Sequence, residues 1–216
     1  MYSREFWDNI YTNHYHDAPW MDDSWKASIV NIISGDMGPL IEKRNFKQLR
    51  LLDYGCGNGH LGKHFADYGM QVDLADISSV LVGHLHQEYD GIPNISIYNV
   101  SHPGLIAEEP RYDFIIAWNV FHHIEPPLWQ GFLNEFASMM NQGAHMFISG
   151  WDDEDSVIKK ENHCARYTEQ PTWCINELGC CVDEDKCSIV KNEKIEAFVP
   201  EFKCYRIYRY YLIKKL

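Results

Sequence analysis

The sequence predicts an α/β protein, a parallel sheet with crossover helices on both faces. Three observations carry that prediction. Short apolar runs alternate with helical patterns from about residue 48 to 150, as βαβ units wound in one direction do. Within that stretch, Leu51-Leu52-Asp53-Tyr54-Gly55-Cys56-Gly57-Asn58-Gly59-His60 ends a strand in three alternate glycines before a helix begins. Glycine turns sharply and admits a ligand close to the backbone, so this is the entrance of a nucleotide-binding unit. Finally, 216 residues suffice for one well-buried domain but hardly for two.

Residues 1–45 form the expected N-terminal aromatic helical cap. Phe6, Ile10 and His14, flanked by Trp7 and Tyr11, make an i, i+4 stripe on a short helix. Pro19 interrupts it, and a second helix is expected over 23–33. So many rings in one short segment suggest a lid that packs on the domain and covers a ligand. The core, 46–150, is expected to hold strands at 49–54, 71–76, 95–100, 112–119 and 144–149. Helices are expected between them over 61–68, 79–89 and 128–140, the second opening on a Ser cap. Residues 151–188 are read as an insertion with a helix over 168–178, where Pro171 falls in the first turn and Gly179 stops it. Residues 189–216 are read as a C-terminal β-hairpin, with strands at 189–198 and 205–213.

Composition narrows the function. The chain is 45% apolar, which excludes general disorder, and no apolar run nears the roughly 18–20 residues that span a bilayer. The start, Met1-Tyr2-Ser3-Arg4-Glu5-Phe6-Trp7-Asp8, has no apolar signal region, so a cytoplasmic protein with no membrane partner is expected. A net charge of −12 argues against nucleic acid as a partner. The one basic cluster, Arg206, Arg209, Lys214 and Lys215, is read as the solvent face of a hairpin strand. Seven cysteines, an odd number without a Cys-x-x-Cys pair, argue against a disulfide framework. Five of them lie with His163 between 163 and 187 at irregular spacing. They are read as reduced thiols, and no metal site is expected.

Asp53-Tyr54-Gly55-Cys56-Gly57-Asn58-Gly59, with Asp76 closing the next strand, resembles the first two motifs of the class I S-adenosylmethionine-dependent methyltransferases of small-molecule type. The stretch from Tyr112-Asp113-Phe114 to Asn119-Val120-Phe121-His122-His123-Ile124 is similar to their fourth-strand motif, residues 143–149 to their fifth strand, and Glu177-Leu178-Gly179-Cys180 to the helix end before their last hairpin. Cys180 stands where an aromatic residue is usual. The resemblance runs from 49 to 213. It implies a seven-stranded, doubly wound, mostly parallel sheet with an antiparallel last strand and a short helical lid.

It also implies a cofactor, S-adenosylmethionine, with S-adenosylhomocysteine as product, and a small-molecule acceptor. Gly55, Cys56, Gly57, Asn58 and Gly59 would take the amino-acid end of the donor near a helix N-terminus. Asp53 would organise the turn through backbone N–H groups. Asp76, 21 residues after Gly55, suits a carboxylate that accepts both ribose hydroxyls. Asn99, where the family usually has Asp, would meet the adenine amino group through its amide oxygen; Val100 ends that strand, and Ile77 would pack on the adenine face. Trp118 and Asn119 would meet the methionine moiety, and Tyr11 and Trp20 would close over the sulfonium. His122 and His123 are the candidate bases; the bland alternative is that they open the next helix. Asp152-Asp153-Glu154-Asp155 is read as a solvated acidic turn.

Two other readings remain in play: an NAD(P)-binding Rossmann oxidoreductase and a non-catalytic partner protein that keeps only the fold. A dinucleotide turn places its third glycine one residue later than here. Calorimetric titration separates the three. The donor reading expects heat with S-adenosylhomocysteine and none with NAD; silence with S-adenosylhomocysteine would sink it.

Overall fold

The computed structural model describes residues 3–15, 23–106, 112–155, 172–199 and 204–216. Five helices and seven strands follow in chain order: α1 Arg4–His14, α2 Asp23–Ile41, β1 Arg50–Tyr54, α3 His60–Asp67, β2 Gln71–Asp76, α4 Ser79–Tyr89, β3 Ile95–Asn99, β4 Tyr112–Ala117, α5 Pro126–Met139, β5 Met140–Trp151, β6 Cys187–Val199 and β7 Cys204–Lys215. The sheet order is β3-β2-β1-β4-β5-β7-β6. β1 to β5 pair in parallel, and β7 runs antiparallel between β5 and β6. The predicted class and the antiparallel last strand are therefore what the structure shows.

The strands read as continuous apolar runs because both faces of the sheet are covered. Leu51, Phe114, Ile116 and Phe147 point into one core with α2, α3 and α4, whereas Leu52, Ile115 and Ile148 point into another against α5. Period-two alternation thus splits neighbouring residues between two cores. The strand order reverses between β1 and β4, and a ligand crevice opens outside the carboxyl ends of strands at such a switch point. That places the loop after β4 beside the glycine turn after β1. No described helix is long and apolar enough to cross a membrane.

Three expectations are corrected. Helix α2 continues to Ile41, eight residues past the expected end, with Pro39 in its last turn. The helix expected over 168–178 begins outside the described residues, and its described part is not helical before a 3-10 turn at Leu178–Cys181. Its backbone groups have tertiary partners instead: Trp173 N–H donates to His122 O at 3.1 Å and Ile175 N–H to Trp151 O at 2.9 Å. Tyr211 Oη donates to the carbonyls of Ile175 and Asn176. His163 and Cys164 lie outside the described residues.

The third correction concerns charge. The acidic run after β5 is not simply solvated, nor does the basic cluster simply face solvent, because each buries part of the other. Asp155 is 1% exposed and Arg206 0%. Asp155 Oδ2 accepts from Arg206 Nε at 2.8 Å and from Ile207 N–H at 2.7 Å. The Arg206 guanidinium also lies over the Trp151 ring, 4.2 Å from its centre. Arg209 pairs with buried Asp152 at 2.7 Å.

Removing one partner of a buried ion pair costs far more than removing one of an exposed pair, because the charge that stays behind keeps its desolvation cost and loses that attraction. Asp155→Ala should therefore lower unfolding free energy by about 3–5 kcal/mol, read from the urea midpoint. A loss within the range of an exposed pair, below about 1 kcal/mol, would contradict this account.

Candidate active site

The turn after β1 is left-handed at each glycine: φ is +66° at Gly55, +54° at Gly57 and +71° at Gly59. A Cβ on Gly55 would overlap Val120 Cγ2 from the loop after β4, so this glycine closes the switch point. A Cβ on Gly57 would meet only the Tyr11 hydroxyl, at 3.9 Å, among the described residues. The backbone there faces an open cradle beneath α1. Asn58 holds the turn through its carbonyl, which accepts from Tyr89 Oη at 2.8 Å, and its Oδ1 accepts from His60 N–H. The half-buried Cys56 thiol leans on Gly57 O, and burial pushes its pKa well above the ordinary value.

Two carboxylates frame the cradle. Asp53, 2% exposed, accepts the Gly62 N–H at 2.9 Å. It therefore secures the first turn of α3 and not the glycines themselves. Burial raises its pKa to about 7 against the lowering effect of that bond, with Asp76 adding to the rise. Asp76 accepts the Gly57 N–H at 3.2 Å and the Ser78 N–H at 3.0 Å. Burial raises it to about 6, although these backbone donors oppose the shift. The Ile77 N–H acts on it in the same sense, and a carboxylate with its four lone-pair sites keeps further acceptor capacity.

At the end of β3, Asn99 Nδ2 donates to Asp76 O at 3.1 Å and to Ile77 O at 3.0 Å. Its amide is thereby oriented, with Oδ1 left to other donors. Ile77 is half-buried beside it. Val100 contributes differently from the expectation: its side chain packs in the α5-side core, and its N–H donates to Asp76 O.

Helix α1 lies against this edge. Asp8 accepts from Ser78 Oγ at 2.6 Å, Ser79 Oγ at 2.8 Å and Val80 N–H at 3.1 Å. Burial pushes the Asp8 pKa up, but these donors outweigh it and the net shift is downward. Arg4 Nε donates to Ile77 O at 3.1 Å. Tyr11, 5% exposed, is thus held over Gly57. Trp20 lies outside the described residues.

Across the switch point, Asn119 has φ +57°, a conformation that asparagine tolerates better than most residues. Ser149 fixes it on both sides, accepting the Asn119 N–H at 3.0 Å and donating to its Oδ1 at 3.2 Å. Trp118 is 8% exposed, 5.9 Å from the Tyr210 ring, and its Nε1 has no hydrogen-bond partner among the described residues. His122 and His123 occupy a 3-10 turn ahead of α5, so they do not open that helix. Their rings lie 3.9 Å apart; His123 meets Trp7 edge-on at 4.9 Å, and His122 meets Trp151 at 4.9 Å. Burial lowers the His123 pKa to about 3, so its imidazole is neutral at neutral pH.

The family model described as a methyltransferase domain matches residues 34–197. The chain belongs to this methyltransferase family. Curated relatives include a ubiquinone biosynthesis O-methyltransferase of Cereibacter sphaeroides, 33% identical over 48% of this chain and 42% of that protein. Another of that name, from Parvibaculum lavamentivorans, is 32% identical over 49% and 42%. The chain thus spans less than half the length of these relatives. An N-methyltransferase from Bradyrhizobium japonicum, in complex with S-adenosyl-L-homocysteine, superposes with a TM-score of 0.71 at 13% identity, covering 97% of this chain and 98% of that one. Magnesium protoporphyrin IX methyltransferase from Synechocystis PCC 6803 gives 0.69 at 15% identity, covering 99% and 95%.

In this member of the family, four contributors to the site carry little signal in the sequence. Gly62 donates its N–H to Asp53, Ser149 clamps Asn119, and Arg4 and Asp8 hold α1. Asp8 lies beside Trp7 in the aromatic segment, where the ring pattern gives no sign of a carboxylate anchor, and Ser149 has no local signal. Of the expected thiols, Cys180, Cys181 and Cys187 are free. Asp152, Asp153 and Glu154 bring carboxylates within 4.8 Å of one another, but Asn176, Arg209 and Lys194 already engage them.

The two glycines that face different neighbours give an ordered prediction. Gly57→Ala should lose about 1–2 kcal/mol to left-handed backbone strain. Gly55→Ala adds the displacement of Val120, so melting temperatures should fall in the order native, Gly57→Ala, Gly55→Ala. The reverse order of the two variants would show that the cradle at Gly57 is not open.

Proposed function

We propose that this chain transfers a methyl group from S-adenosylmethionine to a small-molecule acceptor by in-line displacement. The observation that carries the reading is Asp76: its carboxylate closes β2, touches the Gly57 N–H and retains free acceptor capacity beside an open backbone cradle. A ribose diol needs such a group. The fit extends to Asn99 Oδ1 for the adenine amino group, to Ile77 beside it and to the oriented Asn119 near the methionine end.

S-adenosylmethionine, when bound, supplies a methyl already activated on a sulfonium. The protein's own work is therefore alignment and exclusion of water. Gly55, Gly57 and the N-terminal end of α3 receive the amino-acid end. Tyr11 and the α1 rings cover the cradle and present π faces to a cation. The Trp118 Nε1–H is available to a ligand oxygen. His122 and His123 are the proposed acceptor-side pair; the neutral His123 ring accepts a hydrogen bond at neutral pH but, with its pKa lowered to about 3, takes up a full proton only weakly. An acceptor that is already nucleophilic, or is oriented and not deprotonated by this ring, suits the arrangement.

The relatives' names support the donor more than any acceptor, since they include O- and N-methyltransferases and one named for magnesium protoporphyrin IX. Asp76→Ala should weaken binding of S-adenosylhomocysteine by roughly 10–100-fold, the worth of hydrogen bonds to a charged group; unchanged affinity would assign the ribose elsewhere.

The same carboxylate sets a pH dependence. Its pKa in the free protein is raised to about 6, so it is ionised above that pH and accepts both hydroxyls. Below it the carboxyl is protonated and offers a donor of its own. Affinity for S-adenosylhomocysteine should fall as pH drops from 7 to 5, and Asp76→Asn should flatten that profile. A native profile that is flat across this range would contradict the assignment.

A further inference from the structure

Asp8 stands eight positions into the chain yet ends at the N-terminus of α4. Its two oxygens receive Ser78 Oγ, Ser79 Oγ and Val80 N–H. A carboxylate at that end of a helix satisfies unpaired N–H groups and meets the positive end of the dipole. The cap of α4 is already provided, because Ser78 Oγ accepts the Leu81 N–H at 3.2 Å. Asp8 therefore adds a second, long-range hold whose effect falls on α1. The other described holds on that helix are packing contacts: Ile10 and Tyr11 are buried, Trp7 meets His123 edge-on, and Tyr15 just beyond it stacks on His84. Arg4 Nε on Ile77 O supports the same hold one turn earlier.

The place of attachment matters. Ser78 and Ser79 follow Asp76 and Ile77 directly, so α1 is tied to the turn assigned to the ribose and adenine. One turn beyond Asp8, Tyr11 lies over the Gly57 cradle. For a nucleoside held between that turn and the cradle to leave, α1 would have to lift, and the three bonds of Asp8 are the polar contacts of α1 with the turn after β2 that this motion would break, together with that of Arg4.

We propose that Asp8 is a positioning residue that latches α1 as a lid over the donor site and sets the rate at which S-adenosylmethionine and S-adenosylhomocysteine leave it. This rests on the donor reading above. Release through a minor open state is proportional to the population of that state. Loosening the latch therefore speeds dissociation more than it weakens equilibrium binding, so long as the closed form still predominates.

The test is the dissociation rate of S-adenosylhomocysteine, measured by rapid displacement, for the native chain, Asp8→Ala, Ser79→Ala and Asn94→Ala. Ser79 is exposed, and its side chain bonds only Asp8 among the described residues, so that variant carries the test if Asp8→Ala fails to fold. Asn94 secures α3 through the carbonyls of Ala66 and Met70, away from α1; it serves as a stability control. Both latch variants should release the ligand faster, Asp8→Ala by about tenfold, the equivalent of one charge-assisted hydrogen bond. Asn94→Ala should lower the melting temperature and leave the rate unchanged. Native release rates in both latch variants, with or without a lower melting temperature, would reduce Asp8 to a helix cap and overturn the proposal. A native chain that binds no S-adenosylhomocysteine would instead overturn the donor reading, and the latch with it.

Discussion

The bond from the Gly57 N–H to the Asp76 carboxylate ties the ends of β1 and β2 together at the switch point. Around it the sheet order, the turn and the site become one constraint. β1 must sit between β2 and β4 for the glycine turn to face both Asp76 and the loop that begins at Asn119. Gly55 then has no room for a side chain, because Val120 fills the space. Gly57 keeps its space, because among the described residues only Tyr11 reaches toward it. One turn thus uses one glycine for packing and the next for access.

Keeping a carboxylate there is costly. Asp53 and Asp76 are both almost fully buried, and burial raises both above the ordinary carboxylate range. Backbone donors from Gly57, Gly62 and Ser78 offset part of that cost but do not cancel it. A site that holds a buried carboxylate of raised pKa beside an open backbone is a candidate for a ligand with hydroxyl donors. On the other side of the cradle, the line of rings from Trp7 through His123 and His122 to Trp151 makes a dry wall that ends at the buried Arg206. The proposed donor and acceptor regions therefore differ in kind: one is backbone and carboxylate, the other aromatic.

How much of this the sequence disclosed follows from the range of each interaction. The glycine turn was legible because left-handed backbone demands a residue type at fixed local spacing. Asp53 and Asp76 were legible because each closes an apolar strand. Asn99 was placed correctly at the strand end, but its use of Nδ2 to hold the backbone depends on the register of β2 with β3. The burial of Arg206 was invisible, since a charge is buried only when a partner about fifty residues away is buried with it. The same holds for Asp8, whose partners lie some seventy residues on. Around 172–177 the local pattern favoured a helix, but tertiary hydrogen bonds to Trp151, His122 and Tyr211 override propensity there.

The central claim is that the crevice between the glycine turn and Asp76 is where S-adenosylmethionine binds. A crystal structure of the chain with S-adenosylhomocysteine tests it most directly. The account predicts ribose hydroxyls within hydrogen-bond distance of Asp76, the adenine between Ile77 and Asn99, and Tyr11 covering the amino-acid end above Gly57. A ligand seated elsewhere, or a ribose with no bond to Asp76, would contradict it.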